Sequence, residues 1–304
     1  MSCLEPWIEL SCEVPQSLAE PCSDFFESLG AVSVSFFETG DEPILEPLPG
    51  TTPLWERVKV VALFPVTQDL EHVTQAFQAA YPMLPFALTP LVEQDWTRTW
   101  LQHFRPLCFG QQLWILPRDM SPAEQQAALQ NTANPVVIYL DPGLAFGTGT
   151  HPTTALCLRW LDGHPPVHQQ VIDYGCGSGI LGIAALKLGA RQVLAVDYDP
   201  QALLATRDNG LQNNVDPEQL LTHSPERSPS DYSADLILAN ILAEPLITLA
   251  PRLAQHCVLG GKIVLSGLLA RQSESLQSAY APWFHFAPPI EQEGWILLEG
   301  TRYI

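Results

Sequence analysis

Apolar and polar side chains alternate from Trp7 to Glu13, at the two-residue period of a strand. Ser17 to Leu29 changes to a helical period, with Leu18, Phe25, Phe26 and Leu29 as the expected apolar stripe and Gly30 as the stop. Ala31–Phe37 is β-rich, a Pro/Gly-rich loop covers Thr39–Pro53, and Arg57–Phe64 reads as another strand. Asp69–Ala80 predicts a helix capped by Thr67 or Asp69, and Phe86–Val92 a short last strand. The order strand, helix, strand, strand, helix, strand is that of a ferredoxin-like α+β sandwich, expected over residues 1–92. A linker is expected at 93–112, with a helix over Asp95–Phe104 that carries Trp96 and Trp100.

From residue 113 to 304 the pattern becomes a steady alternation of apolar runs and amphipathic segments. Short strands are expected at Leu107–Phe109, Gln112–Leu116 and Val136–Leu140. Strands at Gln170–Tyr174, Gln192–Asp197, Glu218–Thr222, Ala234–Ala239 and Gly261–Gly267 then alternate with helices at Thr153–Leu161, Gly179–Leu188, Pro200–Asn213, Pro245–Ala254 and Ala270–Tyr280. Such alternation requires a mainly parallel sheet covered by helices on both faces. Phe284–Phe286 and Trp295–Gly300 read as a closing hairpin. The expected fold class is therefore α/β: a Rossmann-like sheet of seven strands, in the variant found in methyltransferases, behind a small ferredoxin-like domain.

The segment VIDYGCGSGILGIAALKLGA, residues 171–190, places a glycine-rich turn between a buried strand and a helix. Ligands of such sheets sit at the carboxyl ends of the strands, and glycine lets them approach the backbone without a Cβ in the way. Gly177, Gly179 and Gly182 also fit the G-x-G-x-x-G of dinucleotide-binding turns, so this motif leaves a nicotinamide dehydrogenase and a ligand-free turn open. Three details favour S-adenosylmethionine. Gly175 follows directly on the strand, giving D-x-G-x-G-x-G. Asp173 would repel a pyrophosphate but attract the ammonium of a methionine moiety. Third, a residue set suited to the methyl donor recurs at another strand end, at Asn240; Asp197, which ends the strand after the turn, can accept both hydroxyls of a ribose in either reading.

Asn240 follows the apolar strand Leu236–Ala239 and offers donors and an acceptor at the same sheet edge, although a cap or turn role explains it equally simply. Ile241, Leu242 and Ala243 come next, with no aromatic ring to stack a nucleobase, which favours an aliphatic amine as methyl acceptor. AFGTGTHPTT, residues 145–154, is rich in glycine and hydroxyls and is placed to fold over a cofactor as a lid. His151 within it is a candidate proton acceptor or a capping residue.

Charge narrows the partners. The chain of 304 residues carries 14 Lys+Arg against 33 Asp+Glu, a net charge of -19. Residues 1–110 hold 4 basic and 15 acidic side chains, the larger share of that imbalance. Binding to nucleic acid needs a basic face, which this composition disfavours, whereas a basic protein partner would be attracted. Ordinary solubility accounts for the charge as well. The seven cysteines form no C-x-x-C pair, so neither a metal site nor a disulfide framework is expected. With no apolar run of membrane-spanning length and no basic leader, a cytoplasmic protein without membrane attachment is expected.

Three motifs taken together, LDPGLAFGTGTHPTT, VIDYGCGSGILGIAALKLGA and ANILAEPL, resemble the ribosomal protein L11 methyltransferase family. GAVSVSF, EPLPGTTPLW and DWTRTWLQHFRPLCFG add to the resemblance in the first third of the chain. It implies a front domain that binds the ribosomal protein and a rear domain that binds S-adenosylmethionine. The implied reaction methylates lysine side chains and the N-terminal α-amine of a ribosomal protein; separately, a basic partner, a monomer and no direct nucleic-acid contact are expected. The implied cofactor contacts are Thr154, Gly175, Asp197 and Asn240, to which the turn itself adds Asp173 and Gly177; Asn240 is also the residue expected to orient the amine. The chain departs more from the family at 117–134 and 216–233. An rRNA methyltransferase of the same fold is the alternative, and a non-catalytic module docking on ribosomal components is a further one.

Overall fold

The computed structural model describes residues 7–40, 52–91, 105–140, 149–229 and 231–304. The chain separates into two compact units, residues 1–96 and 97–304.

In the first unit, strand β1 (Trp7–Pro15), helix α1 (Gln16–Ser28), strands β2 (Ser33–Glu38) and β3 (Arg57–Pro65), helix α2 (Leu70–Ala80) and strand β4 (Phe86–Leu91) follow the expected order. The sheet runs β2-β3-β1-β4 and is antiparallel throughout, which is the ferredoxin-like arrangement. Leu10, Val14, Val58, Val60, Ala62 and Phe64 alternate inward from the central strands onto both helices. The stripe of α1 differs from expectation: Ala19, Cys22, Ser23 and Phe26 are its buried residues, while Leu18, Phe25 and Leu29 flank the core half-buried. Small side chains face the sheet because the rings of Phe26 and Phe77 stack at 5.1 Å and already fill the layer between the helices. Of the two candidate caps of α2, Asp69 takes the role, its carboxylate accepting the His72 N–H at 3.0 Å.

The second unit opens with β5 (Leu107–Phe109), β6 (Leu113–Leu116), helix α3 (Pro122–Leu129) and β7 (Val136–Tyr139). Of the linker expected at 93–112, residues up to 104 lie outside the described residues, and Leu107–Phe109 is paired antiparallel with β6. Helix α3 has no counterpart in the sequence reading. Its signal is a capping box: Ser121 accepts the Glu124 N–H while the Glu124 carboxylate accepts the Ser121 N–H. None of its residues is buried, so no apolar period announces it.

The main sheet contains β8 (Gln170–Tyr174), β9 (Gln192–Val196), β10 (Leu220–His223), β11 (Ala234–Asn240), β12 (Cys257–Leu269), β13 (Phe284–Phe286), β14 (Ile290–Gln292) and β15 (Trp295–Arg302). Seven strands run in the order β10-β9-β8-β11-β12-β15-β13, and the short β14 pairs with β15. β10 to β12 are parallel, and β15 enters antiparallel between β12 and β13. The covering helices are α4 (Pro152–Gly163), α5 (Ile180–Lys187), α6 (Pro200–Gln212), α7 (Ala243–His256) and α8 (Ser273–Tyr280). The central strands are buried on both faces, so they read as apolar runs. The chain winds outward in opposite directions from β8 and β11, so a crevice opens beyond the carboxyl ends of this neighbouring pair. Among the described residues no helix is long and apolar enough to cross a membrane.

Asp162, at the end of α4, holds the β5–β6 turn from below. Its carboxylate accepts the N–H groups of Gln111, Gln112 and Leu113 at 2.6, 3.0 and 2.9 Å. A Cβ on Gly110 would lie 2.1 Å from Asp162 Oδ2, so the glycine makes this approach possible. Asp162→Ala should leave three donors short of an acceptor and lower stability by roughly 2–4 kcal/mol, read as a drop in the urea midpoint; an unchanged midpoint would refute the role.

Candidate active site

The crevice at the switch point has a volume of about 1750 Å³. Single drug-sized ligands occupy roughly 300–1,000 Å³, so it has room for a nucleoside and an incoming side chain together. Its floor is the glycine turn between β8 and α5. Gly175, Gly177 and Gly179 have φ of 76°, 53° and 79°, the left-handed region that only glycine enters freely. The turn is tied to the next strand, because Gly175 and Cys176 donate their N–H groups to the Val196 carbonyl at 2.7 and 3.1 Å. Its own carbonyls are held from α6: Thr206 Oγ1 donates to Gly177 and Asn209 Nδ2 to Ser178.

Thr206, Asn209 and Asn213 are the functional scaffold that sequence reasoning missed. Thr206 and Asn209 lie on α6 and Asn213 is its C-cap, and Thr206 and Asn213 are fully buried. Asn213 exchanges hydrogen bonds with the backbone of Tyr139, tying β7 to the same helix. The available signal was a polar face at i, i+3 and i+7 where an apolar one would normally meet the sheet.

Asp197 follows directly on β9. It lines the crevice, its Oδ2 accepts the Gly177 N–H at 3.0 Å, and its Oδ1 accepts the Asp199 N–H at 3.0 Å. Each carboxylate oxygen can take two hydrogen bonds, so one acceptor position per oxygen is left for a diol. Tyr198, 85% exposed beside it, also lines the crevice and offers an aromatic surface to a base.

Asp173 is placed differently from expectation. It does not line the crevice but lies buried beneath the turn, where its Oδ2 accepts the Gly182 N–H at 2.8 Å. Burial pushes its pKa up to about 7; the Gly182 N–H pulls it down and the Asp197 carboxylate raises it further. A buried acid with a raised pKa adds most stability below about pH 4, and that contribution is lost as the pH climbs through 7. Asp173→Asn keeps an acceptor for Gly182 and removes the charge. Its melting temperature should fall less between pH 5 and 8 than that of the wild type; equal falls would contradict this account.

Asn240 ends β11 and lines the crevice opposite the turn. Its Nδ2 donates to Thr154 Oγ1 at 3.1 Å, while its Oδ1 is buried with no hydrogen-bond partner among the described residues. A buried acceptor without a donor is rare and costly. Thr154, fully buried in the first turn of α4, thus fixes the amide rather than facing a ligand alone. His151 caps α4, its Nδ1 accepting the Thr153 N–H at 3.3 Å, so the capping reading holds. Burial lowers its pKa, and Glu293 partly opposes the shift. Of the expected lid, residues 145–154, the first four lie outside the described residues.

The segment after Asn240 is wedged between two glycines. A Cβ on Gly175 would meet Ile241 Cγ2 at 2.2 Å, and a Cβ on Gly267 would meet the Ile241 carbonyl oxygen at 2.4 Å. Gly267 has φ 87° and sits at a register shift of β12 against β15 between Leu265 and Leu268. This bulge brings β12 against the backbone that carries Asn240.

A seven-strand order with one antiparallel insertion, a glycine turn at its switch point and a carboxylate closing the next strand together define an S-adenosylmethionine-dependent methyltransferase. The model of the family described as "Ribosomal protein L11 methyltransferase (PrmA)" matches residues 6–303, and the chain belongs to that family. The ribosomal protein L11 methyltransferase of Marinobacter nauticus is 46% identical over 303 residues, covering 98% of this chain and 99% of the relative. That of Methylococcus capsulatus is 47% identical over 300 residues, covering 97% and 99%. The crystal structure of a ribosomal protein L11 methylase from Lactobacillus delbrueckii subsp. bulgaricus is 32% identical with a TM-score of 0.56; the match covers 66% of this chain and all of that one.

Proposed function

We propose that this chain transfers methyl groups from S-adenosylmethionine to ribosomal protein L11, at lysine side chains and the N-terminal α-amine. The observation that carries the reading is the orphaned Asn240 Oδ1, a buried acceptor at the crevice wall that an amine N–H would satisfy. Asp197 holds the ribose, Gly175 and Gly177 give the cofactor close access to the backbone, and Thr154 locks the amide of Asn240. The ligand supplies an electrophilic methyl on a sulfonium.

A protonated amine has no lone pair and cannot attack. Deprotonating lysine at pH 7 costs about 5 kcal/mol, against about 1 kcal/mol for an α-amine. Burial in the crevice lowers an amine pKa, and so does a neighbouring positive charge, so a strong base is not required. Asn240 accepts the remaining N–H and aims the lone pair, leaving alignment as the main task of the site. The acidic chain attracts a basic substrate, and both this and the family favour a protein over an rRNA substrate. We further take the protein to act in the cytoplasm as a monomer, without direct contact with nucleic acid.

Mass spectrometry of ribosomal protein L11 incubated with the protein and S-adenosylmethionine tests the proposal. Mass gains in methyl steps are expected, localised to amines. Asn240→Ala should cut turnover at least about tenfold while the cofactor still binds, as loss of one charge-assisted hydrogen bond implies. Unmodified L11 with the wild-type protein would end the reading, and wild-type turnover in the variant would leave Asn240 a structural residue.

A further inference from the structure

Each methyl transferred to an amine removes one N–H and adds apolar surface around a nitrogen that remains cationic. An acceptor such as Asn240 Oδ1 loses its grip as this proceeds, because a fully methylated ammonium has no proton to donate. Successive methylation at one site therefore needs a second kind of contact.

Trp295 is placed to provide it. It opens β15, is 8% exposed, and lines the same crevice as Asn240. The two are linked through one helical turn. The rings of His151 and Trp295 meet edge-on at 4.9 Å, His151 caps α4, and Thr154 in the first turn of α4 holds Asn240. This end of the crevice carries an aromatic surface, and burial lowers the pKa of the His151 ring beside it, partly opposed by Glu293. Arg118, also on the crevice wall, is bonded to Asn209 on α6, the helix that holds the glycine turn.

We propose that Trp295 is a specificity-determining residue that holds the amine once it carries methyl groups, taking over from Asn240 as N–H donors are lost. The inference rests on the reading of the crevice as an amine methylation site. In each transfer the nitrogen lone pair forms the N–C bond, the C–S bonding pair returns to sulfur, and the product ammonium releases a proton to water before the next transfer. The last product keeps its charge, having no proton to release. An aromatic face attracts such a cation without needing a hydrogen bond.

The test is the distribution of methylation states on ribosomal protein L11, resolved by mass and compared at equal total methyl incorporation. Trp295→Leu should lower the ratio of trimethylated to monomethylated product roughly two- to thirtyfold, the range a cation–π contact spans, and Trp295→Phe should fall between. A variant that is merely damaged works more slowly but keeps the distribution. A second measurement uses the wild type alone: tetramethylammonium chloride should inhibit methylation more than ammonium chloride at the same ionic strength. An unchanged distribution in Trp295→Leu, or equal inhibition by the two salts, would overturn the inference while leaving amine methylation intact. A wild type that methylates no amine would overturn both.

Discussion

Asp197→Ala should weaken S-adenosylmethionine binding by about 10- to 150-fold, the effect of losing hydrogen bonds to a charged acceptor worth roughly 1.5–3 kcal/mol. The estimate is a lower bound. The same carboxylate accepts the N–H groups of Gly177 and Asp199, so its removal also frees the glycine turn from the end of β9. The shape-conserving Asp197→Asn should not rescue binding. Both inner partners are donors, and an amide nitrogen would face one of them donor to donor. Titration calorimetry on folded protein reads the dissociation constant, and an undiminished affinity in Asp197→Ala would refute its role at the ribose.

Gly267→Ala should reduce methyl transfer at least about a hundredfold, the cost of displacing a reacting group by about an ångström. The added Cβ would fall 2.4, 2.8 and 2.9 Å from the carbonyl oxygen, carbonyl carbon and nitrogen of Ile241. None of these atoms can rotate away, so the backbone next to Asn240 must move. The left-handed conformation adds about 1–2 kcal/mol of strain for alanine. Gly260 is the control. Its φ is 75°, close to that of Gly267, yet nothing lies within 4 Å of its Cβ position. Gly260→Ala should therefore lose the same strain energy in stability and keep its activity. Equal rates in the two variants would show that the contact with Ile241 does not position Asn240.

Much of the architecture was legible in the chain. Buried parallel strands must be apolar on both faces, so β8, β9 and β11 stand out as runs ending at Tyr174, Val196 and Asn240. Because the ligands of such sheets bind at those ends, the same runs marked Gly175, Asp197 and Asn240. What the sequence concealed depends on neighbours distant along the chain. Asp173 has the charge for a ligand contact, but only the fold shows that Gly182 takes its carboxylate beneath the turn. The expected strand Gly261–Gly267 stopped at a residue that is a bulge within β12, which continues to Leu269. A left-handed glycine in mid-strand resembles a strand end until its partner is known. The expected helix from Ala270 begins instead as a short 3₁₀ turn, Ala270–Gln272, before α8. The polar positions of α6 and its C-cap carry no apolar signal, because Thr206, Asn209 and Asn213 are needed there by the carbonyls of Gly177, Ser178 and Tyr139.

One crevice must hold the cofactor and aim the acceptor amine. A crystal structure of the protein with S-adenosylhomocysteine addresses this directly. The ribose diol should lie on the Asp197 carboxylate, with the sulfur turned toward Asn240 Oδ1. Ligand bound away from Asp197, or a sulfur facing away from Asn240, would contradict it.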